Sequence, residues 1–334
     1  MKREYDQGLV GVWQDPKSKE EYLGTLEHQS YEEVCDDLDI WSAPKGALYL
    51  PYLQVMYCEA RRQGLRHNSL GELSDDTRCM VWHREPQTVG DCVSHWCRAA
   101  SDLTRASDIN IHRDFERWIT TTATETIYGH RNHAGHGASC YRLMKWITED
   151  GGMMLRQNYP ALNLDLSKYD AQIGTRWGRS GVPAKIVEVA KQHQILKALP
   201  VNTREGMRQA YRNGLAVGGC SYISYSRTRD EFGVSNVTNQ GWAHAMQGIG
   251  YDDRESTIKV YGQPLVLEVN SWGRWNSGGR KIRGTELSIP HGSCWIRESD
   301  YVSRKVERGE CFAFSGAAGW RAIPIDNFGF RGLG

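Results

Sequence analysis

Three stretches decide the fold: PQTVGDCVSHWCRAASDL at residues 86–103, GWAHAMQGIGYDD at 241–253 and PLVLEVNSWG at 264–273. In the first, Gly90 and Asp91 supply a turn and an N-cap type residue. The residues that follow are rich in Ala and apolar side chains, so a helix is predicted to begin at Cys92. A thiol placed there sits over the unpaired N–H groups of a first helical turn, where negative charge is favoured. The thiolate is the nucleophilic form, so this is a position at which a cysteine gains reactivity.

Such a thiol also needs an imidazole to exchange its proton with. HAMQGIGYDD predicts a strand starting at His244 and turning at its Asp-Asp end, as a strand entering a hairpin would. PLVLEVN predicts a buried neighbouring strand that delivers Asn270 beside it. An Asn side chain there accepts from one ring nitrogen of His244, fixes the tautomer and leaves the other nitrogen for sulfur. Trp272 is placed to cover that hydrogen bond from water. Each residue alone has a plainer reading: a helical cysteine packs as a small hydrophobe, a strand histidine is a satisfied core residue, and Asn favours turns. Only their combination points to thiol chemistry.

H-A-x-x-x-x-G-Y from His244 and N-S-W-G from Asn270, in the order Cys, His, Asn, resemble the motifs of the papain-like cysteine peptidases. Between them, GHGASCYRLMKWITEDGG followed by NYP resembles that family's glycine-rich loop, helix and Tyr-Pro turn, and GSCWIRESDY resembles its closing strand. The resemblance spans residues 86 to 315. It implies an α+β, two-lobed fold: a helical lobe over 86–200 carrying the nucleophile, a β-rich lobe over 201–334 carrying His and Asn, and a cleft between. It further implies Cys92 as nucleophile, His244 as proton carrier, Asn270 as orienter, and Gln87 with the Cys92 N–H as oxyanion hole. Gly135 or Gly137 would hydrogen-bond a peptide substrate's backbone, with Trp272 beside it and no metal or cofactor.

The chain departs from the pattern in its cysteine motif. Cys92 is followed by Val93 where Trp is usual, as in divergent bacterial and phage relatives, and Gln87 lies five residues before the cysteine rather than six. A register placing His95 before Trp96 at the nucleophile position would give an inactive protein. Gly90 and Asp91 favour Cys92. The competing class is a structural or assembly protein, for example a phage particle component, with weak or lost activity.

Residues 1–85 stand outside the resemblance, with a helix predicted from Tyr52 to Arg62 and a role as prosegment or docking extension. Further helices are predicted over 114–127, 139–150, 183–199 and 204–214, and strands over 215–226 and 256–262. With 41 basic and 40 acidic residues among 334, nothing favours nucleic acid or an anionic membrane as partner. No apolar run reaches a membrane span, and MKREYDQG lacks a secretory apolar core, so a cytoplasmic or virion-associated protein is expected. Nine cysteines without a close CxxC pair suggest mostly free thiols in a reducing compartment, though a bridge such as Cys140 with Cys97 stays open. His130, His133 and His136 in GHRNHAGHG could bind a metal, but their spacing in a Gly-rich run fits a polar surface loop better. GRWNSGGRKIRG reads as a loop bordering the cleft, not as a phosphate cradle.

Overall fold

The computed structural model describes residues 85–112, 121–212, 215–276, 280–283 and 288–317. The predicted Tyr52–Arg62 helix and the prosegment reading of the first 85 residues fall outside these.

Helix α1, Cys92–His112, starts where the sequence places it. Asp91 opens it through its carbonyl, which accepts the N–H groups of Ser94 at 2.9 Å and His95 at 3.2 Å. Its carboxylate does not cap the helix; it accepts from Tyr169 Oη at 2.7 Å. From Val93 to Arg105 the side chains are buried on every face. A helix enclosed on all sides must satisfy its polar residues internally. Arg98 pairs with Glu85 at 2.5 Å, Arg105 with Asp102 at 2.5 Å, and Asp102 also accepts the Thr122 N–H at 2.9 Å. Val93, Trp96, Cys97 and Ala100 form the apolar stripe.

Four helices follow: α2 at Thr124–Gly129, α3 at Cys140–Lys145 continuing as a π-helical turn over Trp146–Asp150, α4 at Ala171–Ser180 and α5 at Ala184–Ala190. Of the helix predicted over 114–127, residues 114–120 lie outside the described residues, 121–123 are non-helical with Thr122 bridging to Leu155, and 124–127 belong to α2. The helix predicted over 183–199 stops at Ala190, and Ile195–Pro200 is instead strand β1. Its residues pair with a strand carrying Phe312 and Phe314, and that tertiary pairing overrides the helical preference of Leu, Lys and Ala.

Helix α6, Arg204–Arg212, leads into β2 at Val217–Ser221. A separate ladder pairs β3, Tyr225–Arg229, with β4, Ser235–Val237. Then come β5 at His244–Asp252, helix α7 at Glu255–Tyr261, β6 at Leu265–Val269, β7 at Ser293–Arg297 and, after a short helix at Glu298–Tyr301 and a π turn at Val302–Val306, β8 at Glu310–Ala317. The strand predicted over 256–262 is therefore α7, and β5 reaches β6 through it rather than by a hairpin. Asp252 explains this: its carboxylate holds the Arg254 N–H at 3.1 Å and Thr257 Oγ1 at 2.8 Å, fixing a first helical turn. Gly262, at φ +76°, closes the helix in the left-handed conformation that suits glycine.

The main sheet has six antiparallel strands in the order β1-β8-β2-β5-β6-β7. One face packs on α1, where Trp96 lies 5.5 Å from Phe314 and 6.1 Å from Phe312 between ring centroids. Lys305, fully buried, contacts the Glu268 carboxylate and donates to the Met246 carbonyl at 2.9 Å. Tyr225 Oη donates to the same carboxylate. The Cys140 bridge runs to Cys220, not Cys97, joining the first residue of α3 to β2. Cys97 is a free thiol within the α1 stripe, turned into the core. Among the described residues no helix is long and apolar enough to cross a membrane.

Candidate active site

Cys92 is the first residue of α1 and is half-buried, whereas His95 lies wholly inside, 3.4 Å from Asp91 and edge-on to Tyr169. The helix thus presents Cys92, not His95, at its start. The backbone N–H groups of Ala245, the residue after His244, of Val93 and of Cys92 itself favour the charged sulfur. Burial acts the other way and dominates, with the nearby Asp91 carboxylate adding to it, so the thiol is raised above its ordinary value.

His244 opens β5 and is buried. Its Nε2 lies 2.9 Å from Asn270 Oδ1. An amide oxygen only accepts, so Nε2 carries the proton and Nδ1 is left without it. Trp272 stacks on the imidazole at 4.5 Å and 26°, and Trp242 and Trp275 gather round it, Trp242 at 4.9 Å from the Trp272 ring. Trp272 thus lies against the imidazole; Trp242, two residues before His244, is an aromatic neighbour the sequence reading did not single out.

Burial lowers His244 to about 4, opposed by the bond to Asn270. The folded protein thus prefers a neutral imidazole, while the unfolded chain binds a proton near the ordinary value of about 6.5. Stability from this group is present above pH about 6.5 and is lost as pH falls towards 4, to the extent of about 3 kcal/mol. Urea titrations should show stability declining through that window in the native chain. A flatter decline is expected in His244→Gln, and identical slopes would contradict this burial effect.

Gln87 is anchored by its backbone N–H to the Ser271 carbonyl at 2.9 Å, and its Oε1 accepts from Ser271 Oγ. Its Nε2 donates to the Val89 carbonyl at 3.0 Å, which uses one of its two hydrogens. Ser271 is a contact that sequence reasoning passed over, although it lies within N-S-W-G. Tyr169 is another: it reaches across to Asp91 and accepts from the Thr88 N–H at 3.3 Å, and nothing in its local sequence signals that contact.

The glycine-rich loop packs on the turn before Cys92. Gly137, at φ +78°, donates its N–H to the Gly90 carbonyl at 2.8 Å, so what it can offer a ligand is its own carbonyl. Gly135 is exposed, with its carbonyl accepting from Arg131 Nε at 2.8 Å. The contact requires glycine at 90, where a Cβ would fall 2.7 Å from the His136 Cβ. The three loop histidines face different partners: His130 stacks on Trp146 at 3.7 Å, His136 Nδ1 meets Tyr128 Oη at 3.0 Å, and His133 is exposed.

No described protein family and no curated protein matches the sequence. Among solved structures, similarity is found to xylellain, a cysteine protease from Xylella fastidiosa, at 14% identity over 68% of this chain and 80% of that one, with a TM-score of 0.44. The bromelain protease from Ananas comosus, in complex with the E64 inhibitor, is similar at 15% identity over 69% of this chain and 90% of its own, with a TM-score of 0.38. Digestive procathepsin L 3 of Tenebrio molitor larval midgut is similar at 13% over 68% of this chain, which spans 64% of it, with a TM-score of 0.38. Likeness at this level does not carry a function.

Proposed function

We propose that this chain is a papain-like cysteine peptidase that hydrolyses peptide bonds through a thioester. The observation that supports this best is the 2.9 Å hydrogen bond between His244 Nε2 and Asn270 Oδ1 beneath Trp272, with Ala245, the residue after that histidine, packed in the same cluster as Cys92 at the helix start. Burial disfavours the thiolate alone and the imidazolium alone. Moving a proton from sulfur to Nδ1 creates both together, so their mutual attraction and the surrounding N–H groups offset the cost.

The thiolate attacks the carbonyl carbon of the substrate. The oxygen that becomes negative is received by the Cys92 N–H at the helix start and by the second hydrogen of the Gln87 amide, whose orientation Ser271 fixes. His244 then passes its proton to the leaving amine, and the C–N bond breaks to leave an acyl-thioester on Cys92. Water, deprotonated by the same imidazole, hydrolyses the thioester and restores the thiol.

The test is limited iodoacetamide labelling at pH about 6, read by mass spectrometry. Cys92 should be modified at least about tenfold faster than any other cysteine. Cys97, Cys294 and Cys311 are buried with thiols raised by desolvation, and should stay unlabelled. Equal labelling of several thiols, or labelling centred on Cys97, would remove Cys92 as the nucleophile.

A further inference from the structure

Across the sheet, three residues stand in register: Ala245 on β5 is opposite Cys220 on β2, which is opposite Glu310 on β8. Directly opposed residues of antiparallel strands share a face. Ala245 is packed against the α1 stripe, so all three side chains point toward the helices. The row begins in the cluster against which Cys92 packs, continues in the disulfide to Cys140, and ends in a carboxylate that accepts from Ser139 Oγ and the Tyr141 N–H, each at 3.3 Å. Cys140 and Glu310 therefore join the start of α3, and the loop that touches Gly90, to the sheet.

A reductant strong enough to open a protein disulfide would remove the covalent part of this joint, the Cys140–Cys220 bridge. A dithiol would open it by exchange, giving two protein thiols and an oxidised, cyclic reductant. Two thiols would then crowd one carboxylate, and any ionisation among them would bring like charges together unless a cation entered.

We propose that Cys140, Cys220 and Glu310 form a zinc site once the bridge is reduced, so that the same three residues hold the joint in either redox state. The two sulfurs and a carboxylate oxygen all lie within 4.8 Å of one another. Tetrahedral zinc with thiolate and carboxylate ligands needs donors about 3.5–3.8 Å apart, within reach of small side-chain rotations. Paired thiolates select a soft divalent ion such as zinc over magnesium or calcium. Cys220 is half-buried and Glu310 exposed, which leaves the fourth position to water. Binding displaces both thiol protons, so affinity rises with pH. The inference does not depend on the peptidase reading, since the three residues form the site whether or not the chain hydrolyses peptides.

The experiment uses the full chain carrying Cys92→Ala, to remove the competing thiol, in oxidised form and after reduction by a phosphine, which does not bind zinc strongly. Zinc chloride is titrated against a chromophoric chelator. One equivalent should bind the reduced chain and none the oxidised chain at the same site, with Cys140→Ser and Cys220→Ser each weakening it at least about 100-fold and Glu310→Gln about tenfold. Cobalt substitution should give sulfur-to-metal charge-transfer absorption in the reduced protein alone. Should the serine variants fold poorly, Glu310→Gln retains both thiols and decides by itself through zinc affinity. Equal zinc uptake in both redox states, or uptake unmoved by Glu310→Gln, overturns the site while leaving the peptidase reading intact.

Discussion

Replacing His244 with alanine is expected to lower kcat/KM for peptide hydrolysis by about 10⁴-fold or more, because the nucleophile and its proton carrier act as a unit. Without the imidazole nothing takes the Cys92 proton, and burial holds that thiol above its ordinary value. The leaving amine also loses its acid. Labelling of Cys92 at pH about 6 should fall in parallel, to the rate of an ordinary thiol. A scaffold protein with an idle site would behave otherwise, showing no hydrolysis in the native chain and no difference in labelling between the two. Hydrolysis of a fluorogenic peptide mixture, with circular dichroism to verify folding, separates these outcomes. Activity retained within about tenfold in His244→Ala would end the peptidase proposal.

The second large effect concerns stability. Lys305→Met should cost about 3–5 kcal/mol, because it leaves the Glu268 carboxylate buried with its cation removed. Lys305 is fully enclosed and also holds the Met246 carbonyl on β5, two residues from His244. Calorimetry should show the Tm falling by roughly 6–15 °C. The double variant Lys305→Met with Glu268→Gln should recover more than half of the loss, since the amide removes the stranded charge and can still accept from Tyr225 Oη. A single-variant cost below about 1 kcal/mol would show that the pair contributes little in its buried setting.

What the sequence made legible was the short-range chemistry. Gly90 and Asp91 before an apolar run mark where α1 begins, and the aliphatic run through Val269 marks the strand that carries Asn270 to His244. Those signals depend on neighbours in the chain. The errors occurred where distant partners decide. Ile195–Pro200 has the composition of a helix end yet pairs with β8, and 256–262 is β-branched yet is wound by the Asp252 carboxylate. Cys140 was open to a bridge with Cys97 because nothing local reveals that Cys220 stands opposite Ala245 and faces α3. Asp91 was read as a capping side chain, but Tyr169, far along the chain, takes its carboxylate.

The position of β8 also constrains how the protein comes into being. Residues 310–317 are made after every other described strand, yet they lie between β1 and β2, inside the edge of the sheet. During synthesis β1 emerges without the strand that joins it to β2, and Trp96 waits for Phe312 and Phe314 to enclose it. Non-local pairing of this kind folds slowly and exposes strand edges in the interval. A nascent chain would therefore hold Cys92, His244 and Asn270 for some time without a completed sheet to seat them. On the proposed peptidase reading, hydrolytic competence is expected to await delivery of this strand.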